Sequence, residues 1–254
     1  MASNDRQARE ERARLRTYQA RQEVHARKQR RRTRDNVIAV VAVLALATAA
    51  QLLYFNGGPG TPEAEPTATP TPPAGENEGD VPSADIAEGR TWTGTLTLND
   101  IPLGVELDGA AAPQAVSSEI SLIQSGFYDG TTCHRLTKDN IWVLQCGDPV
   151  GDGTGGPGYS YGPVENAPAD NLYPAGTIAM ARQPLDGYSH GSQFFIVYED
   201  TTLTPDEAGG YTVVGRVTNG LDELRAGITD AGTADGATDG APAVAVTIAG
   251  FTIE

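Results

Sequence analysis

The chain predicts a mainly β domain, a sandwich or closed barrel of eight short strands with two helices, carried behind a single transmembrane helix and a disordered linker. Between Thr91 and Glu254, short apolar alternations recur among Gly, Pro, Asp and Asn, the period-two signature of half-buried strands. Only two stretches of that region have helical spacing. Upstream of it, 19 uncharged residues from Val37 to Phe55 precede a segment rich in proline and acid.

Taken from the N-terminus, positions 1–35 hold 12 of the 18 Lys and Arg against 5 acids, so the formal charge of -15 hides a basic tail on an acidic remainder. Arg6 to Arg34 is polar all round, with no apolar face to bury, and reads as a solvated cytoplasmic tail. The apolar run that follows defines a span at 36–55. At about 1.5 Å per residue, its 19 uncharged residues reach roughly 28 Å, close to a hydrocarbon core. The positive flank predicts a cytoplasmic N-terminus and an extracytoplasmic C-terminal domain in the cell membrane. Ala47-Thr48-Ala49 has the small-x-small form of a cleavage site, so a secreted product is the alternative. Positions 56–90 contain 7 of the 17 prolines and no aromatic residue, the composition of an extended linker.

In the region 91–254, the candidate strands are Thr93 to Leu98, Gly104 to Leu107, Thr131 to Arg135, Trp142 to Cys146, Thr177 to Ala181, Gln193 to Val197, Thr212 to Val217 and Val244 to Ile248. Helices are predicted over Pro113 to Gln124, where Val116, Ile120 and Ile123 repeat at helical spacing, and near Asp222 to Ala226. The open ends of a barrel need plugs, and two helices suit that role.

The composition excludes several functions. Five basic residues in 91–254 cannot form a phosphate-binding face, so no nucleic acid is expected as partner of the folded part. Two cysteines and no CxxC pair give no zinc framework, and no metal or other cofactor is expected. The glycine-rich run Gly151 to Gly158 lacks the GK[ST] and the following helix of a phosphate loop. Ser192, His190 and Asp186 are too close in sequence to line up as a hydrolytic triad. Asp230, Asp235 and Asp239 lack the spacing of a calcium loop and read as a mobile acidic segment.

Two ordered runs carry more. Cys133-His134-Arg135-Leu136 is followed by Gln145-Cys146-Gly147-Asp148, and Met180-Ala181-Arg182 by Gly191-Ser192-Gln193-Phe194-Phe195-Ile196. On a strand beginning at Gln193, Gln193 and Phe195 share a face, which sets a polar group beside an aromatic one. With the GTGGPGY loop and the YTVVGRV strand, these runs make Thr91 to Glu254 resemble the cyclophilin family of peptidyl-prolyl cis/trans isomerases.

The resemblance implies an eight-stranded antiparallel closed barrel capped by two helices, and an enzyme of proline-containing polypeptides that needs no cofactor. It implies a catalytic Arg135 assisted by Gln145 and Gln193. It further implies a proline pocket of Phe195, Trp142, Val143 and Leu203, with Ala181 and Arg182 on the strand that binds substrate backbone and Tyr211 where the family has a histidine. Arg182 replaces an Asn, and Lys138 to Ile141 make a turn two residues longer than usual. Thr202 stands near the place of a tryptophan associated with cyclosporin, which predicts weak sensitivity to that inhibitor. A peptide-binding module or holdase with little turnover is the competing function. If the outer compartment is oxidising, Cys133 and Cys146 could pair across adjacent strands, although members of the family often carry free cysteines nearby.

Overall fold

The computed structural model describes residues 75–254. The basic tail, the span at 36–55 and the linker up to position 74 lie outside the described residues. No helix among the described residues is long and apolar enough to cross a membrane.

The fold begins with a hairpin whose strands alternate strictly. β1 (Thr91–Leu98) pairs with β2 (Ile101–Asp108) over their full length, burying Leu96 and Leu98 from one strand and Leu103, Val105 and Leu107 from the other. Asn99 makes the turn possible. It adopts a positive φ of 55°, a conformation Asn tolerates in tight hairpins, and its side chain bonds the backbone at Ala245 and Thr247.

α1 (Pro113–Gln124) follows, coinciding with the predicted span. Proline occupies its first turn, where no N–H is needed. Its N-terminal N–H groups at Gln114 and Ala115 are accepted by the carboxylate of Glu165, some fifty residues away in sequence. The remaining strands are β3 (Arg135–Thr137), β4 (Val143–Cys146), β5 (Leu172–Tyr173), β6 (Thr177–Met180), β7 (Phe194–Val197), β8 (Thr201–Thr202), β9 (Val213–Asn219), β10 (Asp239–Gly240) and β11 (Ile248–Ile253). α2 (Leu221–Gly227) lies between β9 and β10.

Nine strands form one antiparallel sheet in the order β10-β3-β4-β7-β6-β9-β2-β1-β11, and β5 and β8 pair separately. The expected eight-stranded closed barrel is therefore corrected to a rolled half-barrel. No continuous ladder closes it. The chain just before β3 meets the start of β11 through an isolated bridge at Thr132 and Thr247, with backbone bonds from Cys133 to Val246 and from Ile248 to Thr131. Two strand positions shift for the same reason. Thr131 to Arg135 is irregular apart from the bridge at Thr132 and the first residue of β3, and Val244 to Ile248 gives way to β11, because β1 selects Ile248–Ile253 as its partner.

The predicted boundary of the folded domain at 91 also moves. Residues 75–90, expected to be linker, lie on the domain. A 3-10 turn at Ala84–Ala87 packs on α1, with Ala87 fully buried. The Ser117 hydroxyl accepts from the Ala87 N–H and donates to the Ala84 carbonyl. Trp92 Nε1 donates to the Ala87 carbonyl, and Glu78 and Ser160 exchange two backbone bonds. Such a segment needs no core of its own, because small residues and backbone groups suffice to fill a groove made by others.

One core fills the roll, built from the inward residues of β1, β2, β4, β7 and β11 and the buried face of α1. A second, smaller core lies on the other face. All four residues of β7 are buried: Phe194 and Ile196 face the main core, and Phe195 and Val197 join Val143, Tyr173, Ala179 and Leu203 in the second. The outer face of β4, β7 and β6 is therefore covered, and the site described next forms there.

Candidate active site

Sheet register assembles this site. Arg135 on β3 lies directly opposite Gln145 on β4, Gln145 opposite Phe195 on β7, and Phe195 opposite Ala179 on β6. Residues directly opposite one another project to the same face. A single row across four strands thus sets a guanidinium, a carboxamide and an aromatic ring side by side.

Hydrogen bonds fix the polar half of the row. Arg135 Nη1 donates to Gln145 Oε1 at 3.2 Å, and Gln145 Nε2 donates to Gln193 Oε1 at 2.8 Å. Gln193 Nε2 in turn donates to the carbonyls of Gly153 and Gly155, so the glycine-rich loop holds the end of the chain of amides. Gly147, at φ 83°, ends β4 where a Cβ would strike the Ser192 carbonyl at 2.4 Å, and glycine alone permits that approach. On its far side, Arg135 Nε and Nη2 donate to the two carboxylate oxygens of Asp239 at 2.7 and 2.6 Å. That bond holds the Asp239 carboxyl below the usual carboxylate range and raises the arginine above its ordinary value. His134, next in the chain, is pushed below its ordinary pKa by burial.

The apolar half is a cup. Phe195 forms its base, with Val143, Ala179 and Leu203 buried around it and Ala181, Val213 and Tyr211 at its rim. Tyr211 stands edge-on to Phe195, centroids 5.5 Å apart, and its backbone N–H donates to the Tyr173 hydroxyl at 2.8 Å. The Arg182 guanidinium lies 5.0 Å from the Tyr211 ring centre. It makes a bidentate pair with Asp206 and also donates to the carbonyls of Gly209 and Gly210.

The structure therefore brings Arg135, Gln145, Gln193, Phe195, Val143, Ala181, Leu203 and Tyr211 together, and it corrects one expectation. Trp142 does not line the cup. It shares the face of Leu144 and Cys146, packs against the main core and meets Tyr198 edge-on at 5.9 Å, since successive residues of a strand point to opposite faces. Arg182 turns its side chain inward, 2 % exposed, to fasten the 206–211 loop. The longer turn after β3 is accommodated by positive φ angles at Asp139 and Asn140.

Sequence reasoning missed Tyr173 and Asp239. Asp239 is 104 residues from its arginine, in a stretch whose composition predicts a mobile acidic segment. It is carried on β10, and the Asp-Gly step it makes is repeated at Asp235-Gly236, so the sequence does not single it out. The open question of the cysteines is answered by a disulfide joining Cys133 and Cys146 beside the Arg135 and Gln145 pair. No hydrolytic triad forms: the Ser192 hydroxyl donates to the Gly147 carbonyl, and the buried His190 bonds the Tyr161 carbonyl and the Thr212 hydroxyl. Among the described residues, no group of three or more His, Cys, Asp or Glu is placed to hold a metal ion.

A rolled antiparallel half-barrel that sets an Arg-Gln-Gln track beside an aromatic-floored apolar cluster is the arrangement that the comparisons with known proteins address. In fold, the chain is similar to a crystal structure of a Cryptosporidium parvum cyclophilin type peptidyl-prolyl cis-trans isomerase, with a TM-score of 0.52, 23% identity, and coverage of 65% of this chain and 97% of that one. A second structure of that protein was determined in the presence of the dipeptide Ala-Pro. The family described as cyclophilin type peptidyl-prolyl cis-trans isomerase/CLD matches residues 95–253, and the chain belongs to that family. It is 43% identical over 166 residues to the probable peptidyl-prolyl cis-trans isomerase B of Mycobacterium tuberculosis, across 61% of this chain and 52% of that protein. It is 41% identical over 131 residues to the peptidyl-prolyl cis-trans isomerase B of Bacillus subtilis, across 51% of this chain and 86% of that one. The chain spans about half the length of the Mycobacterium tuberculosis relative.

Proposed function

We propose that this chain accelerates cis/trans isomerisation of X-Pro bonds in exported or cell-envelope polypeptides. The row Arg135, Gln145, Phe195 carries the proposal, because it sets a guanidinium held by Gln145 beside an apolar cluster floored by Phe195. Amide rotation has a barrier of about 18–20 kcal/mol because conjugation keeps the bond planar, and uncatalysed X-Pro exchange takes tens to hundreds of seconds. In the twisted amide, the nitrogen lone pair is localised and accepts a hydrogen bond. Arg135 has five N–H groups and engages three, so two remain for that nitrogen or the adjoining carbonyl. A donor that meets the twisted state better than the planar one lowers the barrier without breaking a bond to substrate. In this reading the apolar cluster around Phe195 holds the prolyl ring while the preceding residue turns.

The apolar run Val37 to Phe55 behind a basic tail supports a membrane anchor with the domain outside, and the disulfide fits an oxidising compartment. Fractionation of the full chain, with protease access to intact cells, tests this. Recovery of the domain only in the soluble cytosol refutes it.

The catalytic proposal is tested by following exchange of a Pro-containing peptide with the fragment 75–254 and its Arg135→Ala variant. We expect strong acceleration that falls by about a hundredfold or more in the variant, with peptide affinity changed far less. Peptide binding without acceleration by the folded wild type makes the chain a peptide-binding module instead.

A further inference from the structure

Arg135 does not stand free over the cup. Its side edge is occupied by Asp239 in a two-toothed pair, Nε to Oδ1 and Nη2 to Oδ2, and Asp239 makes no other side-chain bond among the described residues. The position of that aspartate is itself determined by backbone pairing. β10 adds to the outer edge of β3, with Asp239 opposite Thr137 and Gly240 opposite Leu136, and the Lys138 N–H donates to the Thr238 carbonyl. Thr137 and Arg135 share a face of β3, so Asp239 is the diagonal neighbour of Arg135 on that face, within reach of a long side chain.

We infer that Asp239 is a positioning residue for Arg135, holding the guanidinium in the one orientation that turns its two unengaged N–H groups toward the prolyl peptide. The inference rests on the isomerase reading above. Its physical basis is entropic and geometric. An arginine side chain has four rotatable bonds, and its side-chain exposure here is 45 %, so packing alone does not select a rotamer. Gln145 supplies one bond at 3.2 Å, which fixes a distance and leaves rotation about it. The planar fork of the carboxylate removes that freedom, because two parallel bonds define a plane as well as a distance. As an exposed pair it adds little to stability, so its effect is expected in the geometry of the reacting complex.

The pair also sets the charge of the site. Paired with Asp239, the guanidinium keeps two N–H groups unengaged while the neighbouring carboxylate offsets its charge, so a donor is available to the amide with little net charge to hold acidic peptide flanks. Asp235, four residues earlier in the same loop, provides the internal comparison. It accepts only the Ala237 N–H and does not touch Arg135.

The test measures kcat and KM by exchange spectroscopy over a range of peptide concentrations for wild type, Asp239→Asn, Asp239→Ala, Asp235→Asn and Arg135→Ala. Asp239→Asn and Asp235→Asn change charge equally in one loop, and only the first loses the bidentate contact. We expect both Asp239 variants to lose kcat by about tenfold with KM within about twofold, and Asp235→Asn to stay within about twofold of wild type in both. The Arg135 Nε–H resonance, slow to exchange with solvent in wild type and Asp235→Asn, exchanges fast in the Asp239 variants. Circular dichroism and melting temperature confirm that each variant is folded. Wild-type kcat in folded Asp239 variants overturns the inference, as does an equal loss in Asp235→Asn or a lost kcat with slow Nε–H exchange retained. Failure of wild type itself to accelerate exchange overturns the isomerase reading instead, and the spectroscopic arm still reports whether Asp239 orders Arg135.

Discussion

Glu119 shows how a single buried group shapes the behaviour of this domain. It lies in α1 with 2 % exposure, and burial pushes its carboxyl up to about 8. The Tyr128 hydroxyl is 2.7 Å from Glu119 Oε1 and 3.0 Å from the Ser192 carbonyl. One hydroxyl has one proton, so both contacts are met together when Glu119 is protonated and donates to Tyr128, which donates onward to Ser192. Linkage then has a definite sign. Between pH 4.5 and about 8 the folded chain keeps a proton that the unfolded chain loses, so stability falls as pH rises through that window. His190 acts in the opposite sense. Burial lowers it to about 4, so stability falls as pH drops from 6.5 through 4. The two slopes cancel between pH 4.5 and 6.5, and the prediction is a plateau there with losses on both sides. Glu119→Gln should match wild type near pH 4.5 and exceed it by about 3–5 kcal/mol above pH 8, as read by denaturant titration. An unchanged pH profile in the variant would sink the assignment.

At the level of elements, the cup depends on a loop that no regular strand secures. Leu203 and Tyr211 flank the segment that Arg182 fastens, and the Arg182 hydrogen bonds hold Asp206 well below the usual carboxylate range. Because the arginine side chain is 2 % exposed, removing its partner strands a buried charge, whereas removing the arginine does not. Asp206→Ala should therefore cost about 3–5 kcal/mol in stability and Arg182→Met clearly less, with KM for a Pro-peptide raised about fivefold in both as the Tyr211 wall loosens. The reverse order of stabilities would show that the pair does not act as a buried ion pair. The β3 and β4 pairing is tied differently, by the disulfide at Cys133 and Cys146 that brackets Arg135 and Gln145.

For the whole molecule, the folded unit includes the 75–90 segment. A fragment beginning at Thr91 loses the Ala87 acceptor of Trp92 and the Ala84–Ala87 turn that partners Ser117 and covers α1. Each buried group left unpaired costs about 1–3 kcal/mol. The shorter fragment should be less stable than 75–254 by about 3 kcal/mol, measured by chemical denaturation, and equal stability would return the segment to the role of linker.

The sequence by itself determined what local chemistry determines. It located the strands of the first hairpin through their alternation and α1 through the helical spacing of Val116, Ile120 and Ile123. It also ordered the runs holding Arg135, Gln145, Gln193 and Phe195, because a period of two fixes which neighbours share a face. Only the tertiary structure decided what depends on pairing across long stretches of chain. Trp142 fell on the core side once the register of β4 with β7 was set. Val244 to Ile248 yielded to Ile248–Ile253 because β1 chose its partner. Residues 75–90 found a groove that α1 provides, and Asp239 reached Arg135 across 104 residues through a two-residue strand. Such contacts are selected by the free energy of the assembled sheet, to which any one segment contributes only a part, so no segment read alone encodes them.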